Sequence, residues 1–469
     1  MIVNKIKRIL DSKYYLLIVL LMMTIFWIVP YVLIQKEVNN YSTIVKVFES
    51  ISLLIIGLLA ILILTLFENI YYMLPLLTFV PFMFSHPFDV YTIPFSMYIA
   101  VALFVIGLII YFIKFKPKFK YGHFLTGFIL LGVTMATGGI FNKDNNVWFS
   151  IAAVGACGLG MTIVYIFFSS TVKTDFNAIA KIMLYLGIFL TLQLATYYLI
   201  QDNFIESLFS KKDIKVGWGI SNNIALMLLF TIPFATYFCI VNNGKKCILY
   251  YILTVIQLLG LLMTYSRGGI VAGIFGVIVL IIVAFKYSAD KKTLLISFLS
   301  TIGIALAILL IVCLIKKDLL PNFFNELLDI NLKNMNYRMP IYKRSIERIK
   351  QNPLFGVGMI NHYGLKDGIE QYIWCHSTIL HTTTSMGIVG TIALAYHMIQ
   401  KYFYYFRKPT LWKIIVILSL LLTDFYGLID VSYYFINYML LMIIVLSASE
   451  EWIEEPRYLY TKIINKKKK

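Results

Sequence analysis

The sequence has little of what a water-soluble protein needs. Only 14% of its 469 residues are charged and 60% are hydrophobic, whereas soluble domains have roughly 25% charged and 45–50% apolar residues. The 12 prolines and 27 glycines are too few for a low-complexity scaffold. This composition excludes a soluble enzyme, a disordered chain and a fibrous protein, and it indicates a protein whose solvent is mostly lipid.

Cysteine and acidic residues are scarce as well. The five cysteines form no CxxC pair, and most of them lie in or beside apolar runs, so the sequence predicts neither a disulfide framework nor a cysteine metal site. Acidic residues number 23 against 41 Lys and Arg, which gives a net charge of +18. In a soluble protein that charge would favour a nucleic-acid partner. Here the basic residues occupy short segments between apolar runs, so we predict membrane topology and no nucleic acid.

Long apolar runs are the main feature of the chain. A bilayer crossing needs about 20 such residues, and we count fourteen runs. They lie near 14–34, 50–67, 69–84, 92–113, 122–141, 147–171, 180–200, 220–241, 247–265, 268–285, 293–315, 377–400, 411–428 and 431–448. The breaks within 50–84 and 247–285 are weakly marked. The sequence predicts an all-α polytopic integral membrane protein with about 14 transmembrane helices.

The predicted organisation has four parts. Residues 1–315 hold helices 1–11, 316–376 form one long extracytoplasmic loop, 377–448 hold helices 12–14, and 449–469 form a cytoplasmic basic tail. Most basic residues, Lys401 and Lys413 among them, then fall on one side. The positive-inside rule makes that side cytoplasmic. We therefore expect an integral membrane protein with both termini cytoplasmic.

The long loop is predicted to contain a short amphipathic helix. Pro340 can begin a helix, and Tyr342, Ile346 and Ile349 recur after it at helical spacing. The opposite face is polar and carries Lys343, Arg344, Glu347 and Lys350. The helix is expected to end near Gln351-Asn352, ahead of a proline. A solvated face, or one that contacts lipid headgroups, is the simplest interpretation of Lys343, Arg344 and Lys350.

Three polar features near the predicted outer face are candidates for chemistry. Arg267 follows Ser266 at a junction between spans, where its planar fork suits a phosphate; an interfacial anchor is the alternative. Arg338 precedes the predicted helix and is a candidate to point into a site. His376 can act as a general base or simply cap a helix. Asp424 and Asp430 lie near span ends; they could help a site, although exposed loop acids are the simpler interpretation.

Familiar catalytic motifs are missing. The sequence contains no P-loop, HExxH or GxSxG. His376 and His381 are five residues apart, which stacks them poorly on one helix face, and no nearby Cys or carboxylate set completes a metal shell. We therefore expect no metal and no cofactor.

A series of short motifs runs through about residues 219–390. It comprises Gly219-Ile220-Ser221-Asn222-Asn223-Ile224-Ala225, Ser266-Arg267-Gly268-Gly269, Arg338, Pro353-Leu354-Phe355-Gly356-Val357-Gly358, His376-Ser377-Thr378-Ile379-Leu380 and Gly387-Ile388-Val389-Gly390. Each motif alone is weak, but their order resembles the bacterial O-antigen ligase/polymerase family of polytopic lipid-linked oligosaccharide glycosyltransferases, which implies a place in the bacterial inner membrane.

This resemblance implies a type-C glycosyltransferase-like fold and a metal-independent reaction at the outer leaflet. The implied partners are an undecaprenyl-pyrophosphate-linked oligosaccharide, an acceptor glycan and membrane lipids, with a flippase and a chain-length regulator as further candidates. Arg267 and Arg338 match the family's pyrophosphate-binding arginines, and His376 matches the histidine that activates the acceptor. Ser377 stands where the family often has Asn. Supporting candidates are Ser266, Asn222, Asn223, Ser377 and Arg344.

We therefore predict a polymerase of a cell-surface polysaccharide such as a capsule or exopolysaccharide. A ligase that moves finished glycan to another carrier is the near alternative, since the two differ only in acceptor. A multi-span transporter or flippase is an alternative of a different class, and membrane-buried ion pairs would favour it. A non-catalytic family member that takes up small anions is a third alternative.

Overall fold

The chain is described here from a computed structural model. The described residues are 2–12, 14–36, 43–85, 95–142, 151, 154–209, 214–315, 321, 332–359, 363–366, 369–372, 375–450 and 452. The cytoplasmic basic tail predicted at 449–469 lies almost wholly outside these residues.

The described chain is almost entirely helical. In order, the helices are α1 Ile2–Leu10, α2 Tyr15–Lys36, α3 Thr43–Leu66, α4 Leu74–Phe79, α5 Phe95–Phe115, α6 Leu125–Thr137, α7 Leu159–Thr171, α8 Phe176–Leu199, α9 Phe204–Phe209, α10 Ser221–Val241, α11 Gly244–Met263, α12 Arg267–Tyr287, α13 Lys291–Ile315, α14 Leu332–Gln351, α15 Thr378–Phe406, α16 Leu411–Tyr426 and α17 Ile436–Ser449. Short 3₁₀ turns flank α4, and a π-turn at Val154–Gly158 precedes α7.

Within the described residues, ten helices are long and apolar enough to cross a membrane, so the chain is a polytopic membrane protein. Each of the fourteen predicted apolar runs contains a helix, but not all are long enough to cross. The apolar helices at Ile70–Phe82, Leu125–Thr137 and Ile436–Ser449 are 10–17 residues long, which is short of the ~20 that a crossing needs. The predicted count of about 14 therefore stays a prediction.

Helix α10 forms the centre of the bundle. In the most apolar stretch of α10, 94% of the residues are buried inside the protein, whereas in that of α13 only 6% are. The reason is in the sequence of α10, which is apolar on every face from Ile224 to Ile240, and such a helix is stable when surrounded by others. It packs against α8, α11, α12 and α16. Because α10 is surrounded by other helices, the residues of its first turn, which begins at Ser221, have a fixed position in the bundle.

The amphipathic helix of the long loop begins earlier than predicted. It spans Leu332–Gln351, so Pro340 and Arg338 lie inside it rather than at or before its start; the predicted end near Gln351 is correct. The predicted apolar face is also wrong at one position, because Ile346 is 48% exposed while Ser345 is fully buried. Ser345 faces inward because its small side chain lets the helix approach Cys375, whose sulfur lies 3.5 Å from Ser345 Oγ.

Two short strands follow that helix, a departure from the all-α prediction. Tyr363–Lys366 pairs antiparallel with Ile369–Tyr372, with Tyr363 opposite Tyr372.

Helix α15 consists of two arms that meet at Gly387. The hydroxyls of Thr383 and Thr391 are 2.8 Å apart, although eight residues along a straight helix advance about 12 Å. Gly387 has φ +67°, a backbone region that glycine enters at little cost. The bend lets the chain fold back on itself at this point.

The motif at 353–358 packs into that bend. The carbonyl of Pro353 accepts a hydrogen bond from Ile388 N–H, and the N–H groups of Val357 and Gly358 donate to Thr384 and Ser385. A Cβ at Gly387 would lie 2.2 Å from the carbonyl oxygen of Leu354. Two of the sequence motifs are thus the two sides of one backbone contact, and together they hold the first arm of α15 in place.

The predicted positions of two charged residues need correction. Lys401 and Asp424 were assigned to a cytoplasmic loop and an outer rim, but both are helix residues with little exposure, and Lys401 Nζ lies 3.2 Å from Asp424 Oδ2. The reason is that α15 continues to Phe406, beyond the predicted span end at 400, so Lys401 lies inside the helix. Lys413 is likewise a buried residue of α16.

Candidate active site

Arg267 is the first residue of α12, and the preceding serine fixes that helix end. Ser266 is the N-cap and accepts a hydrogen bond from Gly269 N–H, the ordinary role of serine at this position. The Ser266 hydroxyl also donates to Asn222 Oδ1 at 2.8 Å. Arg267 is half-buried with its Nε atom buried. The cap therefore ties the arginine's helix to the first turn of α10.

Asn222 extends the hydrogen bonds of Ser266 to a carboxylate, that of Asp430. Its Nδ2 donates to Asp430 Oδ2 at 2.7 Å, and its backbone carbonyl accepts a hydrogen bond from the Tyr426 hydroxyl at 3.2 Å. Asn222 is held by the central helix α10, so it places Asp430 relative to the rigid core of the bundle.

His376 meets the other oxygen of the same carboxylate. Its Nδ1 lies 3.2 Å from Asp430 Oδ1, with 24% of the histidine side chain and 14% of the aspartate side chain exposed. A carboxylate that accepts from Nδ1–H fixes the tautomer and leaves Nε2 able to accept a proton. The partial exposure of the ring leaves room for a reactant to approach it.

The backbone around His376 is built to present it. His376 itself has φ +48°, a conformation that is uncommon for a residue other than glycine. The next residues then anchor the chain: Ser377 caps α15 by accepting from Leu380 N–H, and Thr378 N–H donates to Gly427 O at 2.7 Å. This places His376 beside the nine-residue connection 427–435 between α16 and α17, which carries Asp430.

Asp430 is charged despite its burial. Burial alone would raise the pKa of Asp430, but the hydrogen bond and charge of His376, the Val431 N–H and the charge of Arg338 hold that pKa below its ordinary value. A carboxylate stays ionised when nearby donors and positive charges outweigh desolvation. Asp430 is thus an ionised acceptor at the centre of the cluster.

Arg338 reaches the same turn from the long loop. Its Nη1 donates to the carbonyl oxygen of Ile429 at 3.0 Å. On the other side, Gly268 packs so closely that a Cβ there would lie 3.1 Å from Ile429 Cγ2 and 3.3 Å from Tyr426 Cε2. Arg338 and Gly268, the residue that follows Arg267, therefore both contact one turn, residues 426–430.

Not every predicted residue meets this cluster. Ser266 and Asn222 do, through the hydrogen bonds described above. Ser377 acts as a helix cap, and Asn223 donates its backbone N–H to Ile220 O. Arg344 is exposed on α14. The structure brings together Arg338, His376, Ser266 and Asn222. Arg267 begins the helix that Ser266 caps, and Asn223, Ser377 and Arg344 lie in other positions.

Asp430 and Tyr426 are the site residues that the sequence did not identify. Asp430 had been interpreted as an exposed loop acid. One available signal was its position between two apolar runs that end near the predicted level of His376. That signal is weak, because any acid in a short connection would show it.

The arrangement offers a base, a carboxylate that orients it and the Arg338 guanidinium at one turn, with Arg267 at the start of the helix that packs on that turn. A histidine with a carboxylate partner can remove a proton from a hydroxyl, and arginines can stabilise developing charge on phosphate oxygens. Among the described residues, no group of three or more His, Cys, Asp and Glu side chains is placed to hold a metal ion. In a polytopic membrane protein, ionisable groups gathered near the ends of spans make a candidate functional site.

Comparison with known protein families then narrows that class. Residues 252–395 match the family described as O-antigen ligase. The match covers the Arg267 helix, Arg338, His376 and the bend of α15, and it confirms the predicted resemblance to the O-antigen ligase/polymerase family. It supports a glycosyl-transfer role related to O-antigen or other polysaccharides. No curated protein matches the chain.

Proposed function

We propose that this protein is a polymerase that transfers glycan from an undecaprenyl-pyrophosphate oligosaccharide to a hydroxyl of an acceptor glycan. The observation that carries the proposal is the meeting of His376 with Asp430 beside Arg338, which donates to the neighbouring Ile429 carbonyl. We further propose a type-C glycosyltransferase-like fold with about 14 spans in the inner membrane, cytoplasmic termini, and the site on the outer face.

In this mechanism the acceptor oxygen attacks the anomeric carbon of the donor. His376 Nε2 takes the hydroxyl proton, and Asp430 stabilises the imidazolium that results. The bond between the anomeric carbon and the pyrophosphate oxygen breaks, and the electron pair leaves with the lipid pyrophosphate. One proton moves from the acceptor hydroxyl to His376, and one glycosidic bond replaces one sugar–phosphate bond.

The arginines are proposed to hold the pyrophosphate. Negative charge grows on the leaving oxygens as the anomeric bond breaks, and donors fixed before the reaction stabilise that charge best. Arg338 is held by the Ile429 carbonyl, and the helix of Arg267 by the Ser266 cap. The planar guanidinium offers paired N–H groups that suit phosphate oxygens. The proposed chemistry needs no metal.

The direct test uses purified protein in lipid nanodiscs with an undecaprenyl-pyrophosphate oligosaccharide. We expect lengthened glycan and released lipid pyrophosphate, with the same rate in EDTA. Loss of activity in EDTA that Mg²⁺ restores would contradict the arginine mechanism. Transfer only to a different carrier, without chain lengthening, would identify a ligase instead of a polymerase.

Transport is a second candidate, because one observation favours it. The buried ion pair Lys401–Asp424 lies within the helical bundle, and intramembrane charges often mark a substrate or proton path. Proteoliposomes loaded with the lipid-linked oligosaccharide distinguish the two functions. A transporter moves the substrate between leaflets with no change in glycan length, whereas the proposed polymerase lengthens it.

A further inference from the structure

A second polar cluster lies within the bundle, built around Lys401 on the long arm of α15. Lys401 is fully buried, and its Nζ lies 3.2 Å from Asp424 Oδ2. The Tyr402 hydroxyl donates to the same oxygen. The ammonium group also lies 4.9 Å from the centre of the Tyr433 ring, which is within the range of a cation–π contact.

The contacts of Lys401 bracket the connection that carries Asp430. Asp424 lies two residues before the end of α16, and Tyr433 lies three residues before the start of α17. Lys401 Nζ also lies 3.9 Å from the sulfur of Met442 on α17. One buried side chain thus contacts α16 through Asp424, α17 through Met442, and Tyr433 of the connection that presents Asp430 to His376.

Hydrogen bonds of Thr378 join the same connection to the segment that carries His376. Thr378, two residues after His376, donates its N–H to Gly427 O and accepts from Ser432 N–H at 3.0 Å. The connection 427–435 is therefore fixed from one side by Thr378 and from the other by Lys401. The relative position of His376 and Asp430 depends on both.

Stability alone does not explain a charged pair at this place. Burial of an ammonium and a carboxylate removes the hydration of both, and well-packed uncharged residues of similar volume often stabilise a fold as well or better. An ion pair with a shared tyrosine donor does, however, fix direction and distance more narrowly than apolar contacts do. That distinction points to a role in geometry.

We propose that Lys401 and Asp424 are positioning residues that hold the connection 427–435 so that Asp430 meets His376. This inference rests on the proposed glycosyl transfer. It assigns the buried ion pair to the enzyme's own geometry and not to the movement of a substrate or proton.

The test is a neutral double variant, K401M/D424N. Removing both charges together avoids an isolated buried charge, and the asparagine keeps an acceptor for the Tyr402 hydroxyl. We expect normal membrane insertion and thermal stability, and little change in the KM for the lipid-linked donor. We expect kcat to fall on the order of 10²-fold, the loss that about 1 Å of misplacement can cause.

A combination with D430N separates positioning from general structural damage. If the pair acts through Asp430, K401M/D424N should reduce kcat little further in a D430N background, because residues that act as a unit are not additive. The matched control is K413M, which replaces another buried lysine whose Nζ donates to Arg407 O at the opposite end of α16. It should keep wild-type kcat and additive behaviour.

The opposing results are distinct. Wild-type kcat in K401M/D424N, or an equally large loss in the D430N background, overturns the positioning role. Intact elongation with lost movement of substrate across proteoliposomes overturns it in favour of transport. If K401M/D424N does not fold, D424E replaces it, since the added methylene shifts the carboxylate while keeping the charge; an unchanged kcat in D424E then overturns the inference. No transfer by the wild type refutes instead the proposed function.

Discussion

His376 and Asp430 lie 54 residues apart in the chain, and their side chains meet with Nδ1 3.2 Å from Oδ1. Asn222 from the central helix binds the other carboxylate oxygen, so Asp430 is held between the core of the bundle and the start of α15. Because the two contacts of Asp430 join α10, which precedes the long loop, to His376 at the end of that loop, they give the proposed chemistry a defined location.

Replacement of His376 by alanine should stop glycan lengthening. Loss of a general base typically costs about 10²–10⁴-fold in rate, and the released lipid pyrophosphate should fall by that amount. The measurement is a chromatographic time course of lipid pyrophosphate and glycan length. The control S377A alters the neighbouring helix cap and should keep most activity. Normal polymer length in H376A would remove the histidine from the mechanism.

Replacement of Arg267 or Arg338 by alanine should each lower kcat on the order of 10²–10³-fold, by analogy with removal of one donor that stabilises an oxyanion. R267K should restore little, because an ammonium lacks the planar fork of a guanidinium. The matched control is R344A, since Arg344 is exposed on α14; its rate should stay close to that of the wild type. Equal losses in all three alanine variants would indicate a general charge effect.

Asp430 should also contribute stability in a pH-dependent way. Its pKa in the folded protein is below the ordinary value of 3.8, so the contribution is present above that value and is lost as pH falls through the lower folded pKa. The thermal midpoint of the wild type should exceed that of D430N at about pH 5, and the difference should shrink as the pH falls below 3.8 toward the lower folded pKa. Intrinsic fluorescence melts in detergent measure this. A difference that grows on acidification would show the opposite sign.

Much of the fold follows from the sequence because lipid leaves the backbone few choices. Apolar runs must become helices to satisfy their own hydrogen bonds, and every predicted run does contain one. The amphipathic helix was only partly predicted, because a proline can lie inside a helix when tertiary packing compensates. Ser345 was missed as a buried position since its contact with Cys375 comes from a residue 30 positions away.

The site was predictable only where local sequence carries a signal. Arg267, Arg338 and His376 belong to the series of short motifs, so the sequence predicts them as site residues. Asp430 stands in no motif, and its importance comes from contacts with residues 54 and 208 positions distant. The sequence predicts Lys401 and Asp424 on opposite sides of the membrane. It does so because it ends the predicted span at residue 400 and gives no sign that the helix bends at Gly387 and continues to Phe406.

The bend of α15 offers a test of the architecture that is independent of the proposed reaction. Gly387 has φ +67°, and a Cβ there would lie 2.2 Å from the Leu354 carbonyl oxygen, so G387A should both strain the backbone and push the 353–358 segment away. A non-glycine residue in such a region costs on the order of 1–3 kcal/mol, before the clash is added. We expect a lower thermal midpoint and weaker transfer, since the same arm begins next to His376.

The control is G303A on α13, where a Cβ would meet no atom within 4 Å and helix propensity favours alanine. Its thermal midpoint should be unchanged or higher. An unaltered midpoint in G387A would mean that the two arms are not held by the 353–358 segment, and the position of His376 would then need another explanation.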